Sequence, residues 1–149
     1  MKKLLLLVLI ILSFPACATV QYAPEAQNVS AKKFITREGR ASVYVFRRSL
    51  FYFGGAVSFL VKLDGKDIGY LRPGTFYLLP VTPGQHIIVA SSHENSSESS
   101  IATVSGQCYF LETIPVPGII AARVSMGRVD KKEGKKNIQD CNLVEFKGN

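Results

Sequence analysis

Three cysteines, two histidines and a run of serines are the residues through which this chain could do chemistry. Acyl transfer needs a serine held against an oriented base and an oxyanion hole. Ser91, Ser92, Ser96 and Ser97 flank His93 and Glu94, but a Ser- and Asn-rich stretch of this kind reads as a solvated loop that fixes none of those parts. No Gly-x-Ser-x-Gly elbow and no phosphate-binding glycine loop occurs in the sequence. A catalytic zinc wants three protein ligands. His86 and His93 come with neither His-Glu-x-x-His nor Cys-x-x-Cys spacing, so no metal and no cofactor is expected. Glu94, Glu98 and Glu112 offer no evident carboxylate pair for glycoside cleavage. The chain is therefore expected not to be an enzyme; an envelope hydrolase with a site assembled from distant residues is the alternative from that class.

Of the cysteines, Cys17 is set apart by what precedes it. Lys2 and Lys3 lead into the apolar run Leu4 to Leu12, followed by Ser13-Phe14-Pro15-Ala16. A positive start, a short apolar core and a small residue before a cut site make a secretory signal. The unbroken run is far short of the about 20 residues a membrane-spanning helix needs. Phe14-Pro15-Ala16-Cys17 resembles the bacterial lipobox. That resemblance implies removal of residues 1–16, a diacylglyceryl (palmitate-bearing) thioether on Cys17 and an N-acyl chain. Ala18 in place of Asp resembles the signal for outer-membrane sorting. The expectation is a lipoprotein of the bacterial cell envelope, anchored in the outer membrane and facing the periplasm. Ordinary cleavage near Ala16 or Ala18, leaving a soluble periplasmic or secreted protein, is the alternative.

Cys108 and Cys141 then form an even pair in an oxidising compartment, which reads as a disulfide. Such a bridge would stabilise the fold by roughly 3–4 kcal/mol; two buried free thiols are the alternative. Loss of Lys2 and Lys3 removes two of the 18 basic residues and none of the 11 acidic ones, taking the formal charge from +7 to +5. A moderately basic surface suits anionic envelope polymers or lipid headgroups. Nucleic acid is not an expected partner of an exported chain.

The elements that must position these residues read mostly as strands. Residues 17–39 are mixed and aperiodic, with Tyr22-Ala23-Pro24-Glu25-Ala26 reading as a tether. Ala41 to Arg47 is β-branched and aromatic, and Val57 to Leu63 alternates with Val57, Phe59, Val61 and Leu63 on one face. Asp64-Gly65 is a hairpin turn into Lys66 to Leu71. Arg72-Pro73-Gly74 and Thr82-Pro83-Gly84 bracket Thr75 to Val81, and Gln85 to Ser91 follows. Ser99 to Val104 and Gln107 to Ile114 pair across Ser105-Gly106; Ile119 to Val129 is a last long strand. Asp130 to Asn137 is a short helix or loop, and Ile138 to Phe146 an edge strand. This punctuation predicts an all-β sandwich or barrel, and the expectation is a single immunoglobulin-like β-sandwich domain of seven to eight short strands over residues 40–146.

Val43-Tyr44-Val45-Phe46-Arg47, then Val61 to Gly69 with its Asp64-Gly65, then Val81-Thr82-Pro83-Gly84-Gln85-His86, then Ser105 to Phe110 run in an order that resembles the bacterial lipoproteins grouped as domain of unknown function 2846. The likeness covers roughly Arg40 to Val144. The strand, Asp-Gly, strand pattern is also similar to PEGA-type β-domains, a resemblance that implies a prealbumin-like sandwich, although the Pro-Glu-Gly-Ala signature is absent. Neither resemblance implies a catalytic residue or a ligand. Arg47 and Arg48, beside Phe51, Tyr52 and Phe53, set cations next to aromatics in a form suited to an envelope protein, glycan or headgroup partner; the aromatics could equally cover the end of the sandwich. The function expected is a lipid-anchored binding or scaffold module that offers a loop end or sheet edge to its partner.

Overall fold

Asp64 and Gly65 both take positive φ, 49° and 80°, the conformation a two-residue hairpin turn demands. Turns, loops and one helix divide the described residues into nine strands. The computed structural model describes residues 20–49 and 57–146. Within them, α1 (Glu25–Ala31) precedes β1 (Ala41–Arg47), β2 (Phe59–Leu63), β3 (Lys66–Leu71), β4 (Thr75–Val81), β5 (Gly84–Ser91), β6 (Ser96–Thr103), β7 (Cys108–Val116) and β8 (Arg123–Val129); α2 (Lys131–Gln139) and β9 (Asn142–Leu143) complete the order.

The strands form a β-sandwich. One sheet has the order β8-β7-β1-β4-β9 and the other β3-β2-β5-β6. β1 pairs parallel with β7 and antiparallel with β4, and β9 adds to β4 in parallel. Val43, Val45, Leu79, Leu111, Val124 and Met126 of the larger sheet meet Phe59, Val61, Ile88 and Ile101 of the smaller one in the main core.

The larger sheet is buried on its outer face as well. Tyr44, Phe46, Phe76 and Phe110 point away from the main core and pack with Ala31, Ile138 and Leu143 beneath the two helices. A strand buried on both faces needs apolar residues at nearly every position, and all seven residues of β1 are buried. Gly134 lets α2 close on the sheet, since a Cβ there would lie 2.3 Å from Phe110 Cγ.

Two expectations are corrected here. Residues 20–34, read as part of a tether, are folded. Tyr22 bridges Val144, Ala23 N donates to Leu143 O at 2.9 Å, and Tyr44 Oη donates to Ala31 O at 2.9 Å. The Cys108–Cys141 bridge is absent, and both thiols are free. Cys108 lies beside Ser42 in register, whereas Cys141 Sγ lies 3.7 Å from Arg47 O. Those two levels of β1 are about 16 Å apart at ~3.3 Å per residue, beyond any disulfide's reach.

Odd-numbered strands β1 to β7 run one way and even-numbered β2 to β8 the other. The sandwich therefore has a loop end, holding residues 48–49, 57–58, 72–74, 92–95 and 117–122, and a turn end, holding 64–65, 82–83 and 104–107.

Candidate functional site

Among the described residues, the loop end carries the densest arrangement of side chains that fix a loop. Ser92 Oγ receives the amides of Glu94 and Asn95, each at 3.2 Å, and so shapes the tight connection between β5 and β6. This aims Glu94 across the sandwich at the β7–β8 loop. Its carboxylate accepts three successive backbone amides, from Ile119 at 3.0 Å, from Ile120, and from Ala121 at 2.6 Å; Arg123 Nε donates at 3.2 Å. Gly118 makes room for the carboxylate, because a Cβ there would lie 2.5 Å from Glu94 Oε2 and 1.9 Å from Ala121 O. The next residues extend the seam. Asn95 exchanges two hydrogen bonds with the backbone of Val124, at 2.8 and 2.9 Å, and Ser97 Oγ accepts from Met126 N at 3.0 Å. Side chains of β6 and its turn thus do for β8 what a neighbouring strand would do.

The Ala121, Ile119 and Ile120 amides, with Arg123 behind them, hold the Glu94 carboxyl at about 2, well below the ordinary range. A carboxylate with four donors and so low a proton affinity does not serve as a general acid. It is a clasp. What the clasp displays is apolar: Ile119 and Ile120 are 88% and 94% exposed.

The cation–aromatic patch expected at 47–53 is only partly a surface. Arg47 is buried, with its guanidinium 4.4 Å above the Phe59 ring and Nη1 donating to Val57 O. Burial lowers it to about 10, which leaves it charged at neutral pH. Its position reflects strand alternation: the residue after Phe46 points into the main core, where the cation ties the end of β1 to the residues that lead into β2. Arg48 stays 42% exposed and pairs with Glu112. Phe51, Tyr52 and Phe53 lie outside the described residues, as does Cys17.

The residues singled out for chemistry are dispersed. His86 is at the turn end, with Nδ1 2.7 Å from Asp64 Oδ2 and Nε2 2.8 Å from Thr82 O. His93 is exposed beside the clasp. Burial raises the Cys141 thiol to about 11 and raises Cys108 as well, so neither is an activated nucleophile. Among the described residues no three His, Cys, Asp or Glu side chains gather in a way that could hold a metal ion. A cleft of about 360 Å³ beside α2 is lined by Arg48, Asp130, Lys132, Glu133, Lys136 and Asn137; its charges alternate in sign and focus no field.

The clasp escaped sequence reasoning because Glu94 and the amides it holds are more than twenty residues apart and backbone amides carry no residue signature. One trace existed: Pro117-Gly118 before Ile119-Ile120-Ala121-Ala122 is too apolar for an ordinary surface loop. A model of a family described as Protein of unknown function (DUF2846) matches residues 37–124. The match takes in β1 to β7, the clasp and the apolar loop, and leaves both helices outside. No curated protein matches the chain.

Proposed function

From the premise that this chain belongs to the DUF2846 family of proteins of unknown function, we propose that it is a lipid-anchored protein of the bacterial envelope whose non-catalytic β-sandwich presents the 117–122 loop to a protein partner. The anchor is an acylated Cys17 exposed by removal of residues 1–16, in the outer membrane and facing the periplasm. Two or three acyl chains hold a protein far more firmly than the marginal binding of one. The working surface is the loop end.

The observation that carries this reading is the pair Ile119–Ile120, almost wholly exposed on a loop whose amides are tied down by Glu94. Single exposed apolar residues are commonplace. An adjacent pair held in one conformation is different, because a preorganised loop loses little entropy when it docks. Two isoleucines projecting side by side suit an apolar pocket on another protein better than a glycan, which would call for planar polar and aromatic groups.

The anchor is tested by the intact mass of the protein extracted from the host's membranes. Cys17–Asn149 plus acyl chains is expected; a bare chain in the soluble fraction would overturn the anchor. The surface is tested by a photo-crosslinking residue at Ile120 in living cells. One specific adduct is expected, lost on Ile119→Ser and equally on Gly118→Ala with the fold retained. An adduct pattern indifferent to both changes would sink the docking role.

A further inference from the structure

The opposite end of the molecule is basic and lies on the side toward which the N-terminal backbone leads. We propose that the turn end is a bilayer-facing surface, which seats the domain on anionic phospholipid headgroups; this rests on the reading of Cys17 as the anchor.

Chain direction is the first argument. The segment from Ala23 back to Val20 runs antiparallel to the residues following β9, and β9 runs parallel to β4. Followed toward the N-terminus, it therefore heads for the turn end. Val20 packs against the main core. Only Ala18 and Thr19 separate it from Cys17, and the three steps between them, at ~3.5 Å each, span about 10 Å at most. An acyl chain on Cys17 would hold the turn end within roughly a Debye length of the headgroups, about 8 Å at physiological salt. There is no long tether to lift the domain away.

Charge is the second argument. The chain between α1 and β1 is laid across the turn end. Cys108 Sγ donates to Phe34 O at 3.5 Å, and Gly106 N donates to Arg40 O at 2.8 Å. This segment carries Lys33, Arg37 and Arg40, all exposed. From α2, Lys135 Nζ stands 5.1 Å from the Phe34 ring centroid, with exposed Lys131 one turn before it. The acidic residues at this end are partly engaged: Asp64 with His86, Asp67 with Lys62, and Asp130 as the N-cap of α2; Glu38 is exposed. Ile35 and Val104 add apolar side chains, 75% and 60% exposed. Cations interleaved with apolar side chains are what an anionic membrane interface takes. The loop end differs, with Arg48 and Arg123 each paired to a glutamate.

The test uses the mature chain, residues 17–149, with Cys17→Ser so that no acyl chain contributes. Binding is read by co-sedimentation with vesicles of phosphatidylglycerol in phosphatidylcholine, against phosphatidylcholine alone. Expected are binding to the anionic vesicles only and weakening with added salt. One basic residue near such a surface strengthens binding about fivefold, so Lys33→Gln/Arg37→Gln/Arg40→Gln should weaken it at least about tenfold. Lys131→Gln/Lys135→Gln, on the other element, should act alike, while Ile119→Ser/Ile120→Ser should leave it unchanged. Absence of anionic-vesicle binding by the folded chain, or binding indifferent to both sets of cations, overturns the surface. Intact mass of the native protein decides the anchor separately. Acylated Cys17 without vesicle binding leaves the anchor standing and removes this surface; an unacylated chain that binds through these cations does the reverse.

Discussion

The two ends of this sandwich use the same device with opposite signs of charge. At the loop end an anion, Glu94, is saturated by backbone donors. At the turn end His86 faces two acceptors, the Asp64 carboxylate and the Thr82 carbonyl, so both of its nitrogens are best satisfied as donors in the imidazolium form. Each group reaches from the smaller sheet or its turns to fix a connection that would otherwise be slack. The surfaces they frame differ accordingly, with apolar Ile119–Ile120 at one end and a cationic cluster at the other. A domain anchored near its turn end would direct these surfaces to different partners, bilayer below and protein above.

The harshest way to break this contrast is to lift the helix layer. Gly134→Ala gains about 1 kcal/mol of helix propensity but drives a methyl into Phe110, and overpacking a close-packed core costs about 1–3 kcal/mol. We expect a net loss of up to about 2 kcal/mol by denaturant unfolding. Amides at 119–121 should keep their hydrogen-exchange protection relative to the global limit. Loss of that protection would mean that the two ends are not independent.

A change confined to the loop end comes next. Glu94→Gln removes the charge, and Gly118→Ala removes the space the carboxylate occupies. Both should speed exchange of the Ile119, Ile120 and Ala121 amides at least about tenfold, as local openings do, with the turn-end amide of Ile87 unaffected. Unchanged exchange at 119–121 would show that the loop holds its shape without the clasp.

The sequence made most strands legible but not their pairing: Ser99 to Val104 and Gln107 to Ile114, which read as a hairpin across Ser105-Gly106, lie in different sheets, β6 beside β5 and β7 between β1 and β8. Strands Ala41–Arg47, Lys66–Leu71 and Thr75–Val81 stand where their residues place them, because Asp64-Gly65, Pro73-Gly74 and Pro83-Gly84 punctuate the chain locally. The stretch Ile119 to Val129 reads as one strand, but the strand begins at Arg123; Glu94 takes the amides of 119–121 away from any ladder. The helix layer left a signal that alternation alone does not use. Tyr44, Phe46, Phe76 and Phe110 are all on the face away from the main core, and four aromatics there require a cover. Glu25–Ala31 and Lys131–Gln139 supply it with few buried side chains of their own, Asn28, Ala31 and Ile138 among them, too sparse for a periodic pattern. The cysteine pair misleads for a related reason: an even count says nothing of which level of a strand each thiol occupies.

Acid sharpens the comparison without mutation. The Glu94 carboxyl is held at about 2 by the Ala121, Ile119 and Ile120 amides, against an ordinary value of 4.5. A depressed acid contributes order that is present above its unfolded pKa and lost as pH falls through the folded one. Protection at 119–121 should therefore persist at pH 5 and decline between about pH 4.5 and 2, while the turn end keeps its imidazolium. A loop already loose at pH 5 would argue against the clasp.

Alkali probes the turn end, with the smallest effect. Burial pulls the His86 pKa down, but hydrogen bonds to Asp64 and Thr82 and the Asp64 charge outweigh it, and the net shift is upward from 6.5. A raised base contributes stability that is complete below its unfolded pKa and is lost as pH rises through the folded value. The difference in unfolding free energy between the native chain and His86→Gln should thus be largest below pH 6.5 and shrink once His86 deprotonates. With Asp64 46% exposed, the difference should stay below about 1 kcal/mol, the range of solvent-screened pairs. Asp64 Oδ1 also accepts Ile87 N at 2.8 Å, a bond that survives deprotonation of the imidazole, so the Ile87 amide should remain protected at high pH. A difference that grew with pH would mean that His86 acts as a neutral ring, and the opposition of charge between the two ends would fail.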